Sequence, residues 1–234
     1  MARIRAGRAA PDAVLLEGVH ALKHAVRFGA RLEVAVSTDP DEALRLLRML
    51  APDVELPLEV GQVSSGTWQA LVGRALPSPI LAVAARPSAE PAAVLAAPGR
   101  VVVLEGPRHL GNLGATVRVA AAAGAGGLLV VGDADPWHPT AVRAAAGLQF
   151  ALRVARCERL PPCDRPIVAL DPSGAPLAPG GLPEDAVLLV GTERAGLTPT
   201  LRARAERTVG LPMRPGVSSL NLATAVAAAL YRGG

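Results

Sequence analysis

The stretch RVVVLEGPRHLGNLGATVRVAAAAGAGGLLVVG, residues 100–132, decides the fold. Its apolar runs at 100–106 and 127–132 show no polar alternation, which is typical of strands buried on both faces. Between them, LGATVRVAAAAG (113–124) has apolar residues at helical spacing and ends on a glycine. Strand, helix and strand in this order predict two parallel strands joined by a helix.

The same alternation continues toward the C-terminus. The runs PIVALD (166–171) and AVLLVG (186–191) predict two further buried strands. TAVRAAAG (140–147) and SLNLATAVAAALY (219–231) predict helices. Together these elements indicate an α/β fold, in which a parallel sheet carries helices on both faces.

The N-terminal part also alternates strands and helices. Strands are predicted at 13–18, 32–38 and 79–85, and helices at 18–29 and 41–50. This is a small α/β layer structure of its own. The segment from Arg86 to Arg100 is rich in Pro and Ala and is predicted to be a linker. We therefore expect two domains, residues 1–90 and residues 91–234.

Composition narrows the classes of function. The 234 residues carry 24 Lys and Arg against 20 Asp and Glu, a net charge of +4, and the whole excess lies in residues 91–234. A basic excess indicates a polyanionic partner. No apolar run reaches the roughly 20 residues that span a bilayer, and the apolar stretch at 13–16 is too short for a signal peptide. We expect a cytoplasmic protein without membrane contact.

Metal and disulfide chemistry find little support in the sequence. Cys157 and Cys163 do not form a CxxC pair. His20 and His24 have the i, i+4 spacing of metal ligands, but Ala21 stands where the HExxH pattern needs Glu. We expect no metal site.

Three glycine-containing segments follow predicted strands. They are GNLGATVR (111–118), GTERAGL (191–197) and LPMRPGVSSLN (211–221). Ligands of open parallel sheets bind beyond the carboxyl ends of the strands, and glycine lets the backbone approach them closely. The glycines do not have the GxGxxG spacing that a dinucleotide-dependent oxidoreductase needs, so that class is disfavoured.

The three segments resemble the signature motifs of the SpoU (TrmH-like) branch of the SPOUT methyltransferase superfamily, over about residues 100–234. The matching residues are, in order, Asn112, Gly114 and Arg118; Gly191, Glu193 and Gly196; and Pro212, Met213, Ser219, Leu220 and Asn221. The N-terminal part is similar, at 15–26 and 77–84, to the L30e-like substrate-binding domain that often precedes this catalytic domain.

This resemblance implies a specific enzyme. The implied fold has a deep trefoil knot, the implied cofactor is S-adenosylmethionine, and the implied active unit is a homodimer. The implied reaction methylates a ribose 2′-hydroxyl of structured RNA, with 23S rRNA as the favoured substrate and transfer RNA as the alternative. A catalytically idle RNA-binding or ribosome-assembly protein on the same fold is a further alternative, because a fold does not fix a function.

The resemblance also implies roles for individual residues. Those expected to act in catalysis are Arg118, Asn112, Glu193, Ser219 and Asn221. Those expected to bind the cofactor are Gly191, Leu211, Met213, Ser219 and Leu220. Structural alternatives remain open: Asn112 and Ser219 both suit a helix N-cap, Arg118 suits a solvated helix face and Glu193 an exposed turn.

Overall fold

The computed structural model describes residues 3–4, 10–192 and 195–233, and these fall into two compact units. Unit 1 comprises Met1–Pro87 and Trp137–Ala151, and unit 2 comprises Ser88–Pro136 and Leu152–Gly234. The division differs from the expected boundary at residue 90, because a segment from the middle of the chain belongs with the N-terminal part.

The elements are numbered along the chain. The strands are β1 (Ala13–Glu17), β2 (Leu32–Ser37), β3 (Val60–Gln62), β4 (Ile80–Ala85), β5 (Val101–Glu105), β6 (Gly127–Val131), β7 (Arg153–Cys157), β8 (Ile167–Pro176), β9 (Val187–Val190) and β10 (Arg207–Gly210). The helices are α1 (Val19–Arg27), α2 (Pro40–Leu50), α3 (Ser65–Val72), α4 (Pro91–Leu95), α5 (Leu110–Ala122), α6 (Pro139–Ala144), α7 (Pro199–Arg202) and α8 (Leu222–Gly233), with a 3-10 turn at Leu148–Ala151. Among the residues that the structure describes, no helix is long and apolar enough to cross a membrane.

Unit 1 contains a mixed four-stranded sheet in the order β1-β4-β2-β3. Strand β4 runs antiparallel to β1 and β2, whereas β3 is parallel to β2. Helix α2 begins where the sequence predicts, because the carboxylate of Asp39 accepts a hydrogen bond from the backbone N–H of Glu42 at 3.0 Å and Pro40 occupies the first turn.

The segment 137–151 packs as part of unit 1. Trp137 is buried and meets Phe150 edge to face, with ring centroids 5.2 Å apart. Nδ1 of His24 on α1 lies 2.8 Å from the carbonyl oxygen of Ala146. The periodicity of this segment predicts its helix correctly but carries no information about which sheet the helix covers.

Unit 2 contains a six-stranded, entirely parallel sheet in the order β10-β8-β9-β5-β6-β7. Val101 and Val103 of β5 pack in the same cluster as Val94 and Leu95 of α4, while Val102 and Leu104, which alternate with them and face the other side of the sheet, are equally buried. Helices therefore cover both faces of the sheet, which confirms the α/β class. The trefoil knot stays a prediction.

The linker prediction for 86–100 is wrong in part. Residues 91–95 form α4, and its Val94 and Leu95 are almost fully buried in unit 2. A five-residue helix of Pro, Ala, Val and Leu is too short to show a helical period. The weakly patterned strands β7 and β10 lie at the two edges of the sheet and were likewise not predicted.

Candidate functional site

A cavity of about 420 Å³ lies within unit 2 where β8 and β9 stop pairing. Its lining residues are Leu170, Asp171, Pro172, Val190, Gly191, Thr192, Ala195, Gly196, Leu211, Met213, Ser218, Ser219, Leu220, Leu222 and Ala225. The last β8–β9 pair is Leu170 with Val190, so Asp171 and Gly191 follow at the same edge of the sheet. This is the edge where open parallel sheets bind ligands.

The glycine-rich turn after β9 forms one wall of the cavity. The backbones of Thr192 and Gly196 hydrogen-bond to each other in both directions, at 3.1 and 3.0 Å. A Cβ atom on Gly191 would lie only 2.0 Å from the carbonyl carbon of Gly196, so the turn closes only around glycine. Glu193, which the resemblance makes catalytic, lies outside the described residues, as does Arg194.

The segment between β10 and α8 also lines the cavity. Leu211, Met213, Ser219 and Leu220 all line the cavity together with Gly191. The structure thus brings all five of the expected cofactor-binding residues around one space. Their role in binding a cofactor stays a prediction.

Two asparagines join the first and third motifs. The side-chain amide of Asn221 donates to Oδ1 of Asn112 at 3.0 Å, and Oδ1 of Asn221 accepts from the backbone N–H of Ala223 at 3.0 Å. Asn221 is therefore the residue that caps α8, and the alternative of Ser219 as the cap is wrong. Asn112 is not a cap either, because α5 begins at Leu110.

Arg118 lies on the exposed side of α5. It follows Asn112 by six residues, about 9 Å along the helix axis. It is not among the residues that line the cavity. Within the described part of the chain its guanidinium has no hydrogen bond or ion pair, which leaves its donors available to a ligand that reaches this face.

Asp171 is the one ionisable side chain among the described residues that line the cavity, and the motifs did not indicate it. Its carboxylate accepts hydrogen bonds from the backbone and hydroxyl of Ser173, at 2.9 and 2.5 Å, and pairs with Arg202. Burial raises the pKa of Asp171, but the hydrogen bonds from Ser173 and Arg202 outweigh burial and hold this pKa below its ordinary value. Asp171 is therefore ionised and ion-paired with Arg202, and it is the one charged side chain among the described residues that line the cavity.

A second carboxylate anchors the far end of the glycine-rich turn. Glu105, at the end of β5, accepts from the backbone N–H and the hydroxyl of Thr198, both at 2.7 Å. The same hydroxyl accepts from the backbone N–H of Leu201 and so caps α7. In the sequence, the one indication of a role for Glu105 and Asp171 is their position, because each ends a predicted buried strand.

Comparison with known proteins identifies the family. Residues 99–231 match the model of the SpoU rRNA Methylase family. The chain is 34% identical over 144 residues to the 23S rRNA (uridine(2479)-2′-O)-methyltransferase of Streptomyces viridochromogenes, a match that covers 56% of this chain and 50% of that protein. It is 28% identical over 235 residues to the 23S rRNA (guanosine(2553)-2′-O)-methyltransferase RlmP of Bacillus subtilis, covering 96% and 89%.

The fold is also that of a solved relative. The SpoU methyltransferase AviRb of Streptomyces viridochromogenes, determined in complex with the cofactor AdoMet, superposes with a TM-score of 0.77 at 27% identity, over 99% of this chain and 91% of that one. The match to the 23S rRNA (uridine(2479)-2′-O)-methyltransferase spans only half the length of that protein. The family match itself covers more than half of the chain, and the chain belongs to the SpoU rRNA methylase family.

Proposed function

We propose that this protein transfers a methyl group from S-adenosylmethionine to a ribose 2′-hydroxyl of 23S rRNA. The names of the relatives from Streptomyces viridochromogenes and Bacillus subtilis support this reaction and this class of RNA. The AdoMet complex of AviRb supports the cofactor. A ribosomal RNA substrate favours a cytoplasmic localisation.

The observation that carries the proposal is the meeting of the three motifs in unit 2. Gly191 of the second motif and Leu220 of the third line one cavity, and the hydrogen bond between Asn112 and Asn221 fixes the first motif beside them. A cofactor held in the cavity and a substrate held by α5 would therefore lie next to each other. Close, aligned reactants are the main requirement of a displacement reaction.

The cavity fits S-adenosylmethionine in size and chemistry. Its volume of about 420 Å³ lies in the range of small-molecule sites. Apolar side chains such as Val190, Leu211 and Leu222 suit an adenine ring, and the carboxylate of Asp171, although paired with Arg202, can accept hydrogen bonds from hydroxyl or amino groups of a ligand. When bound, this cofactor supplies an electrophilic methyl group.

The protein supplies position and charge to the substrate. We assign Arg118 to an RNA phosphate next to the target ribose, because a guanidinium binds phosphate with two parallel hydrogen bonds. Asn112, Asn221 and Ser219 provide neutral hydrogen-bonding groups at the rim, suited to ribose hydroxyls. We assign Glu193 to the substrate site as well, because of its position in the second motif.

Unit 1 and the oligomeric state complete the proposal. We assign unit 1 to RNA binding, in line with the similarity of its sequence to an L30e-like domain.

We assign a homodimer as the active form, and the exposed apolar side chains of Val217, Leu220 and Tyr231 in unit 2 are consistent with a covered surface. Light scattering coupled to gel filtration measures the mass in solution, and a monomer at micromolar concentration would contradict the dimer.

The first experiment is calorimetric titration with S-adenosylmethionine and, separately, with NAD. We expect binding of the first alone, followed by methylation of 23S rRNA detected as a block to reverse transcription at low nucleotide concentration. Methylation of transfer RNA but not of 23S rRNA would overturn the proposal that 23S rRNA is the substrate. RNA binding without cofactor binding would favour the catalytically idle protein.

Arg118→Ala tests the catalytic assignment. We expect a loss of methyl transfer of at least about 100-fold, since positioning of the reacting groups supplies effects of this size or more. Cofactor affinity should stay unchanged, because Arg118 does not line the cavity. Arg159→Ala, which removes another exposed arginine of unit 2, is the matched control. Near-normal turnover of Arg118→Ala would remove the assignment.

A further inference from the structure

Among the described residues of unit 1 the charges balance, so their contribution to any affinity of this unit for RNA depends on how they are arranged. Its described residues include nine basic and nine acidic side chains. Several arginines are neutralised one to one at the surface, as in the pairs Arg27–Asp53 and Arg45–Glu42. Such pairs present no net charge to a polyanion.

The cluster of Glu17, Arg74 and Arg143 is different. Both guanidiniums hydrogen-bond to the same oxygen, Oε2 of Glu17, and the contact from Nη1 of Arg143 measures 2.7 Å. One carboxylate thus holds two positive charges. Any additional partner of Glu17 would be a hydrogen-bond donor and would leave the positive charge of the two arginines in place.

Burial separates the two signs of charge in this cluster. The side chain of Glu17 is only 3% exposed, whereas those of Arg74 and Arg143 are 39% and 41% exposed. Solvent, and any ligand arriving from it, meets the guanidiniums and not the carboxylate. The accessible side of the cluster is cationic.

The geometry of the cluster suits one phosphate group. Because two nitrogens share an acceptor atom, they lie within about 6 Å of each other, two hydrogen-bond lengths. Each guanidinium has five N–H donors. Within the described residues, the remaining donors of Arg143 make no hydrogen bond, and those of Arg74 make a long contact of 3.5 Å to the carbonyl oxygen of Ala75.

We propose that Arg74 and Arg143 form a binding site for a backbone phosphate of the RNA substrate, with Glu17 holding the two guanidiniums in place. The inference rests on the proposed function, since it names how unit 1 holds the RNA that unit 2 would methylate. Arginine is the residue whose forked donors match phosphate oxygens, and prior fixation by Glu17 lowers the entropy lost on binding.

The test is the salt dependence of binding to 23S rRNA transcribed in vitro. Each phosphate contact contributes a nearly fixed amount to the slope of log affinity against log salt. We expect Arg74→Gln to make this slope shallower by roughly one unit and to weaken binding several-fold at low salt. Arg74→Lys should keep the slope, because it keeps the charge, while losing affinity through loss of the fork.

Arg45→Gln is the matched control, because Arg45 is an exposed arginine of unit 1 in a one-to-one pair, and its slope should equal that of the unchanged protein. Equal slopes for Arg74→Gln and Arg45→Gln would overturn the site and leave the cluster a structural one. The thermal unfolding midpoint of each variant shows whether it is folded. If the unchanged protein methylates 23S rRNA but the slopes are equal, this inference alone fails; if it neither binds nor methylates that RNA, the proposed function fails with it.

Discussion

Unit 1 and unit 2 gather their polar side chains in different ways. In unit 2 the sheet is entirely parallel, so motifs that follow separate strands meet at one edge, as Gly191 and Leu211 do around the cavity. In unit 1 the sheet is mixed, and Glu17 pairs with Arg74 and Arg143, which lie 57 and 126 residues away in the sequence and belong to no motif. The residues around the cavity of unit 2 can therefore be recognised in the sequence as motifs that follow strands. The cluster in the mixed sheet of unit 1 cannot be recognised in this way.

A glycine in each unit allows the comparison to be tested by the same substitution. Gly191 meets the backbone of Gly196 within the turn beside the cavity. Gly147 meets the backbone of Ala21, where the segment 137–151 approaches α1. We expect the first glycine to control ligand binding and the second to control the stability of unit 1.

The largest effect is expected from Gly191→Ala. The new Cβ would lie 2.0 Å from the carbonyl carbon of Gly196, so the turn must open. We expect S-adenosylmethionine to bind at least about 100-fold more weakly, which corresponds to roughly 3 kcal/mol. Calorimetric titration measures this loss.

The matched control for this prediction is Gly111→Ala on α5. No heavy atom lies within 4 Å of the Cβ it would add, so cofactor binding should not change. Alanine in a helix is also more favourable than glycine by about 0.5–1 kcal/mol. Unchanged cofactor affinity in Gly191→Ala would show that the cavity is not the cofactor site.

The sequence predicted those parts of the fold and site whose signal is local. Strands β5 and β6 were predicted because they are buried on both faces, and Gly191 and Asn221 because they belong to motifs. Asp171 was missed because a carboxylate that merely ends a strand resembles any loop residue.

The placement of the segment 137–151 was missed for a different reason. Periodicity predicts that a helix exists and which of its faces is buried, but it does not identify the partner that covers that face. The same limit applies to Arg143, whose pairing with Glu17 depends on the packing of α6 against β1 within unit 1.

The next effect in size is expected from Gly147→Ala. Its φ is +75°, and the new Cβ would lie 2.4 Å from the carbonyl oxygen of Ala21. The left-handed conformation alone costs about 1–2 kcal/mol with a side chain, and displacement of the 137–151 segment from α1 adds to this. We expect unit 1 to lose more than about 2 kcal/mol in a chemical denaturation experiment, while unit 2 still binds the cofactor.

Gly73→Ala separates the two contributions. Gly73 has a similar φ of +67°, but no heavy atom lies within 4 Å of its added Cβ. It should therefore show the conformational cost alone, about 1–2 kcal/mol. Equal destabilisation by the two substitutions would mean that the approach of Gly147 to Ala21 contributes nothing.

The smallest effect concerns pH and again belongs to unit 1. Burial lowers the pKa of His24, with smaller contributions from Lys23, Arg27 and His20, and the hydrogen bond to Ala146 opposes burial only in part. A histidine whose pKa is lower in the folded than in the unfolded chain stabilises the fold fully above about pH 6.5, the unfolded value. This contribution is lost as the pH falls through the folded pKa. Carboxylates such as Asp53, whose pKa is lowered from 3.8 by its hydrogen bond to Arg27, titrate below this window.

His24→Asn isolates this contribution, because its amide can donate to the carbonyl of Ala146 from nearly the position of Nδ1 and does not titrate. We expect the thermal midpoint of the unchanged protein to fall more between pH 7 and pH 5 than that of the variant. His20→Asn, at an exposed position on the same helix, is the control; it removes only the smallest of the contributions to the pKa of His24 and should follow the unchanged protein closely. If His24→Asn loses as much stability over this range, His24 does not hold the 137–151 segment through its neutral form. The acid sensitivity of unit 1 would then come from groups outside the contact between α1 and that segment.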